Sequence, residues 1–153
     1  MSLDRVDKQI LQLLQQDGSL SSAEIAEQVG LTPPPCWRRI KKLQDNGYID
    51  KCVNLLNAKK LGLGVTVFAT IKLSAHGKEN VETFREKITS YEEVMECYIL
   101  LGGIDVLVKM NVASVESYHE LFFRRLSQIP GVQEVNSSVV VERVKDTTEL
   151  PIK

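Results

Sequence analysis

The stretch LSSAEIAEQVGLTPPPCWRRIKKLQDNG, residues 20–47, decides how the first third of the chain folds. Ser21 and Glu24 form a Ser-x-x-Glu capping box, and Leu20 and Ile25 occupy the two staple positions that set how a chain enters a helix. Ile25, Ala26 and Val29 share one helix face, and Gly30 stops the helix. Only Gly30-Leu31-Thr32 separates it from the next helix. Thr32 is the candidate N-cap there, and Pro33, Pro34 and Pro35 fall where helical N–H groups lack partners anyway. Each proline disfavours helical geometry in its predecessor, so the start lies between Pro33 and Pro35. The helix runs to Gly47. Two helices joined by so short a turn form a helix-turn-helix.

On a wheel of about 100° per residue, Ile40 and Leu43 lie within about 40° of Cys36 and make the buried stripe. Arg38, Lys41 and Lys42 fall on the opposite side, Arg39 flanks the stripe, and Trp37 at its margin reads as a packing residue rather than a base-stacking one. No acid occurs between Leu31 and Gln44. A helix anchored on one side and cationic on the other can lie in a DNA major groove, although periodicity alone equally describes a solvated basic face.

Working outward, Asp4 can cap an earlier helix with Asp7 in its first turn; Val6, Ile10, Leu13 and Leu14 repeat at helical spacing until Gly18. On the other side, Ile49 to Leu55 reads as a strand, and Asn57 to Gly64 as a connector with glycine punctuation. The period then changes. Val65, Val67, Ala69, Ile71 and Leu73 alternate as in a strand with one buried face, and Val81, Phe84 and Ile88 space as a helix face. Val94 to Leu101 and Val106 to Ala113 read as strands around Gly102-Gly103, a short hairpin signal. Ser114 can cap a helix bearing Tyr118, Leu121, Phe122 and Leu126 that stops at Pro130-Gly131, and Val132 to Val144 is a last strand. Strand-helix-strand-strand-helix-strand is the ferredoxin-like order, so the fold class is α+β.

The whole-chain properties narrow the function by exclusion. The net charge is -1, so a nucleic-acid surface must come from local clustering rather than overall basicity. No apolar run approaches a membrane span and the charged N-terminus has no signal-peptide core, which predicts a cytosolic protein. Cys36, Cys52 and Cys97 are widely spaced, and His76 and His119 lie far apart; free thiols, buried or half-buried, fit better than a disulfide framework or a zinc site. An enzyme on the ferredoxin-like half finds no nucleophile-base pair, phosphate loop or metal cluster to support it.

Leu101-Gly102-Gly103-Ile104-Asp105 is the candidate effector loop. Glycines leave backbone N–H groups open to a carboxylate, and Asp105 can accept from an ammonium, matching the two ends of an α-amino acid. The same residues also make a routine turn with a solvated aspartate. His119 reads as exposed or interfacial, and the segment from Thr147 to Pro151 as a tail that packs on a neighbour or stays disordered.

LDRVDKQILQLLQQDGSLSSAEIAEQVGLTPPPCWRRIKKLQDNGYI, from Leu3, resembles the helix-turn-helix of the Lrp/AsnC (leucine-responsive, or feast/famine) regulators. LLGGIDVLVKMNV, from Leu100, is similar to the loop and strand of their ligand-sensing domain. The resemblance runs from Leu3 to about Lys145. It implies a winged helix-turn-helix over 1–50, a strand and linker over 51–64, and a ligand-sensing, oligomerising domain with a tail over 65–153. It further implies a regulator of double-stranded DNA, not an enzyme, with no cofactor but an amino-acid effector. Its dimers form through the C-terminal sheets and assemble towards an octamer. By position, the DNA contacts it implies are Ser22, Thr32, Pro34, Arg38, Arg39, Lys41 and Lys42. The effector residues it implies are Ile99, Leu101, Gly102, Gly103, Asp105, Val115, Ser137, Ser138, Val139 and Val140, completed by another subunit. The triple proline departs from the family's commoner Ser- or Thr-broken pattern. The alternative reading is a nucleoid organiser with little sequence specificity.

Overall fold

The computed structural model describes residues 2–74 and 77–153, with the side chains of 77–80 outside the description; His76 therefore lies outside it too. The chain divides into two compact units, Met1–Leu55 with Lys145–Lys153, and Leu56–Val144.

The first unit is built on α1 (Arg5–Gln16), α2 (Ser22–Val29) and α3 (Pro33–Asp45). Asp4 caps α1 as expected. Its carboxylate accepts from the Asp7 N–H, and the Asp7 side chain accepts from the Asp4 N–H, so two otherwise orphaned donors are satisfied. Ser21 and Glu24 do the same for α2. Ile10, Ile25, Ala26, Cys36 and Leu43 form the buried core, with Leu14, Leu20 and Ile40 against it. The tail belongs to this unit rather than to the sensing domain. Gln15 exchanges two hydrogen bonds with the Leu150 backbone, at 3.0 and 2.9 Å, in the manner of a neighbouring peptide, and Ile152 packs on the helical core.

The strand expected over 49–55 is absent. Among the described residues no strand pairs with this segment to take up its backbone hydrogen bonds, and Val53 and Leu55 are exposed. Cys52, expected buried or half-buried, is exposed on the same segment, whereas Cys36 is buried and Cys97 half-buried.

The second unit has β1 (Val65–Leu73), α4 (Gly77–Thr89), β2 (Val94–Ile99), β3 (Val106–Val112), α5 (Val115–Arg124) and β4 (Val132–Val139). The strands pair in the order β2-β3-β1-β4, every pair antiparallel, which is the ferredoxin-like sheet. Val67, Ala69 and Ile71 of β1 and Val106, Val108 and Met110 of β3 point to one side, where Phe84, Ile88, Leu121 and Leu126 cover them. The other face is mixed rather than apolar throughout. Phe68, Tyr98 and Leu107 sit there among Thr70, Lys109 and Ser138.

Two strands end earlier than their apolar runs suggest. β4 stops at Val139 because β1 begins at Val65; one last bond joins the Val140 N–H to the Thr66 carbonyl, and Val141 is fully exposed. β2 stops at Ile99, paired with Val106, so Leu100–Asp105 forms an open loop rather than a tight two-residue turn.

Candidate nucleic-acid interface and effector site

The turn between α2 and α3 is set by Gly30, whose φ of 70° lies in the left-handed region. The Leu31 N–H then reaches back to the Ala26 carbonyl at 2.8 Å. Thr32 occupies the N-cap of α3 but makes no side-chain capping bond. The N–H groups such a cap would accept from belong to Pro33, Pro34 and Pro35, which have none. The start of α3 thus offers a phosphate no backbone donors from these residues.

Thr32, Pro34, Arg38, Lys41 and Lys42 are exposed, and Ser22, the first residue of α2, is half-buried. Lys41 pairs with Asp45 one turn on, at 3.0 Å. Arg38 and Lys42 have no ion pair among the described residues. Arg39 stands apart from them. Its Nη1 donates to Asp4 at 2.6 Å and to Asp7 at 2.7 Å, tying α3 to the start of α1. The Asp7 N–H, and after it the Arg39 guanidinium, hold the Asp4 carboxyl below the usual aspartate range. Asp7 is only 5% exposed. The guanidinium that the family pattern offers as a DNA contact is therefore engaged in closing the domain.

Removing it has a separable signature. Arg39→Ala leaves the buried Asp7 carboxylate with only the Asp4 N–H, which is expected to cost about 1–3 kcal/mol of stability, towards the lower end because that bond remains. Thermal or urea unfolding measures it, and the salt dependence of DNA binding is expected to stay as in wild type. In wild type the contribution of Asp4 is present at neutral pH and is lost as pH falls through its lowered folded pKa, because protonation then competes with both bonds. A stable variant with a reduced salt slope contradicts the assignment.

The effector candidates fall into two groups at opposite ends of the sheet. Ile99, Leu101, Gly102, Gly103 and Asp105 lie on the β2–β3 loop and its approach, beside the C-terminal end of β1. Asp105 is half-buried, and its Oδ2 accepts from the Leu73 N–H at 2.7 Å, so this carboxylate already fastens the loop to β1. Gly102 has a φ of 152°, which side chains rarely adopt. Around Gly103 a Cβ would meet nothing within 4 Å. Leu101 is fully exposed and Ile104 41% exposed, which leaves apolar surface around the glycines without cover.

The second group lies where Val139 pairs with Val67 and Ser137 with Ala69. At roughly 3.3 Å per residue, that is about 13–20 Å along β1 from Leu73, too far for one small molecule to touch both groups in one chain. Ser137 and Val139 share the helix-covered side, and the Tyr118 hydroxyl is hydrogen-bonded to Ser137; Val115, 51% exposed, opens α5 three residues before Tyr118. Ser138, opposite Phe68, points to the other face, and Val140 lies just past the end of β4. Ser137, Ser138 and Val139 therefore cannot all line one pocket in one chain, because a strand alternates its side chains.

The comparisons with known proteins follow this division of the chain. Residues 66–150 match the Lrp/AsnC ligand binding domain, and residues 3–50 match a winged helix-turn-helix DNA-binding domain. The chain belongs to the Lrp/AsnC family. It is 40% identical over 151 residues to the DNA-binding transcriptional activator DecR of Escherichia coli strain K12, covering 99% of each chain. It is 36% identical to the leucine-responsive regulatory protein of the same strain, covering 99% of this chain and 92% of that one. Among solved structures it is similar to a transcriptional regulator from Neisseria meningitidis in complex with L-methionine, with a TM-score of 0.94, 33% identity and coverage of 98% and 97%. An AsnC family transcriptional regulator from Agrobacterium tumefaciens gives a TM-score of 0.91 at 38% identity, covering 97% of each chain. Lrp/AsnC proteins are DNA-binding regulators rather than enzymes. No helix among the described residues is long and apolar enough to cross a membrane.

Sequence reasoning missed the Arg39 clamp, the tail contact and the exposure of Trp37. The first two left faint signals, an Asp-x-x-Asp facing an arginine at the margin of the core stripe, and the isolated apolar pair Leu150 and Ile152 in a polar tail. Trp37 reads from its position as a packing residue, yet it is 57% exposed and no part of the helical core.

Proposed function

We propose that this Lrp/AsnC protein is a sequence-specific transcriptional regulator whose DNA affinity responds to a free amino acid held between copies of the chain. The observation that carries the reading is the split effector site. A loop with accessible glycines, a fastened Asp105 and uncovered apolar residues lies at one end of the sheet, and its complement lies about 13–20 Å away at the other. A second copy that brings its far end to this loop completes the site. The carboxylate then lies against the glycine backbone, the ammonium near Asp105, and an apolar side chain against Leu101 and Ile104. The L-methionine complex of the Neisseria meningitidis regulator supports an amino acid of this kind. We place pairing of copies on the open sheet face at Phe68, Tyr98 and Leu107, with larger assembly towards an octamer and a cytoplasmic, nucleoid-associated location.

On the DNA side, Arg38 and Lys42 supply phosphate contacts, helped by Lys41, while Ser22, Thr32 and Pro34 approach the same groove. Removing one phosphate-binding cation lowers the slope of log affinity against log salt by roughly 0.9. Arg38→Ala with Lys42→Ala is therefore expected to lower it by about 1.8 per copy on DNA, with folding intact because both side chains are exposed. Fluorescence anisotropy across a salt series measures this. An unchanged slope contradicts the assignment, and equal wild-type affinity for selected and scrambled duplexes favours a nucleoid organiser.

A further inference from the structure

Trp37 lies outside the buried core of the helical unit. It is 57% exposed, and its indole has no hydrogen bond among the described residues. It sits in the N-terminal half of α3, with Pro34 and Lys41 one turn to either side and Arg38 next to it. Recognition helices present their N-terminal residues to base edges in the major groove. The surrounding charge selects the partner. Arg38 and Lys41 flank Trp37, Lys42 lies further round the same helix, and the first acid along the helix is Asp45. A second copy of the same helix laid on it would bring like charges together, whereas a polyanion is attracted.

Duplex DNA offers one apolar group on a base edge in the major groove, the C5-methyl of thymine. We propose that Trp37 is a specificity-determining residue that packs its indole against a thymine methyl in each half-site. The proline run strengthens the case. With no N–H groups on Pro33, Pro34 and Pro35, the start of the helix cannot anchor through backbone bonds to a phosphate at those residues, and the proline rings give it apolar surface one turn from Trp37. The proposal deepens the sequence-specific reading above and rests on it.

The test separates the two. An operator is selected from a random duplex pool with the full-length protein, and each thymine is then replaced in turn by deoxyuridine, which removes only the methyl. Wild type is expected to lose about fourfold affinity at one thymine per half-site, the scale of one buried methyl group. Trp37→Ala is expected to fold normally and to bind the unmodified operator about 5- to 100-fold more weakly, the scale of one mismatched base pair. It should show no uracil effect at that thymine and keep the wild-type salt slope. Trp37→Phe, which keeps an apolar ring, is expected to retain uracil sensitivity. An operator whose binding is indifferent to every uracil, or a Trp37→Ala protein with wild-type affinity or uracil sensitivity, overturns the assignment of Trp37 alone. A pool that enriches no sequence overturns the sequence-specific reading and this inference with it.

Discussion

A protein carrying Phe68→Glu and Leu107→Glu is expected to sediment as a single chain and to bind its operator roughly 10²- to 10⁴-fold more weakly than wild type, the usual scale of lost bivalency. Both side chains lie on the open face of the sheet. Phe68 pairs across with Lys109 and Ser138, and Leu107 with Thr70 and Tyr98, so the two sit diagonally on neighbouring strands. The buried face, with Val67, Ala69 and Ile71, is untouched, so the variant is expected to fold. Glu96 and Lys109, 2.6 Å apart, with the Tyr98 hydroxyl donating to Glu96, set an ion pair on the same face beside Phe68. In the proposed pairing, new carboxylates on this face would be buried against the same face of a second copy, where charges of like sign repel. In the proposed dimer one α3 reads one half-site, so losing the second copy removes the gain from simultaneous engagement. A variant that stays dimeric with wild-type affinity places the pairing surface elsewhere.

Asp105 gives the second large effect. Its Oδ2 holds the Leu73 N–H at 2.7 Å, so alanine at this position removes a structural bond together with the proposed ligand contact. Asp105→Asn separates the two roles. The amide oxygen still accepts from Leu73, while the negative charge that favours an ammonium is gone. Asparagine is therefore expected to leave unfolding and effector-free DNA affinity near wild type and to weaken amino-acid binding roughly 10- to 150-fold, the scale of a charge-assisted hydrogen bond of about 1.5–3 kcal/mol. Gly103→Val is expected to do the same by bulk, because its Cβ projects into space that the chain leaves open. Calorimetry on both variants measures the loss. Equal binding by wild type and Asp105→Asn removes the aspartate from the site.

Much of the fold was legible because its signals are local. Asp4 with Asp7, and Ser21 with Glu24, announce helix starts within four residues, and the alternation from Val65 to Leu73 carries the buried face of β1. The errors share one cause, which is that a strand or a contact depends on what lies beside it. Ile49 to Leu55 has strand-like residues but no neighbouring strand, and Val132 to Val144 outruns the strand it pairs with. Arg39 looks like any basic residue of α3 until α1 brings Asp4 and Asp7 to it from more than thirty residues away. The candidate effector residues were legible one by one through the family resemblance. Their division between two ends of the sheet was not, because it follows from register and not from composition.

Whether an amino acid alters DNA affinity is read directly from a titration. The selected operator is titrated with wild-type protein in the absence and presence of each of the twenty amino acids. At least one amino acid with an apolar side chain is expected to shift the apparent affinity by about 5- to 150-fold, the usual scale of allosteric coupling, and Asp105→Asn is expected to abolish the shift. An operator affinity unchanged by all twenty contradicts the proposed function.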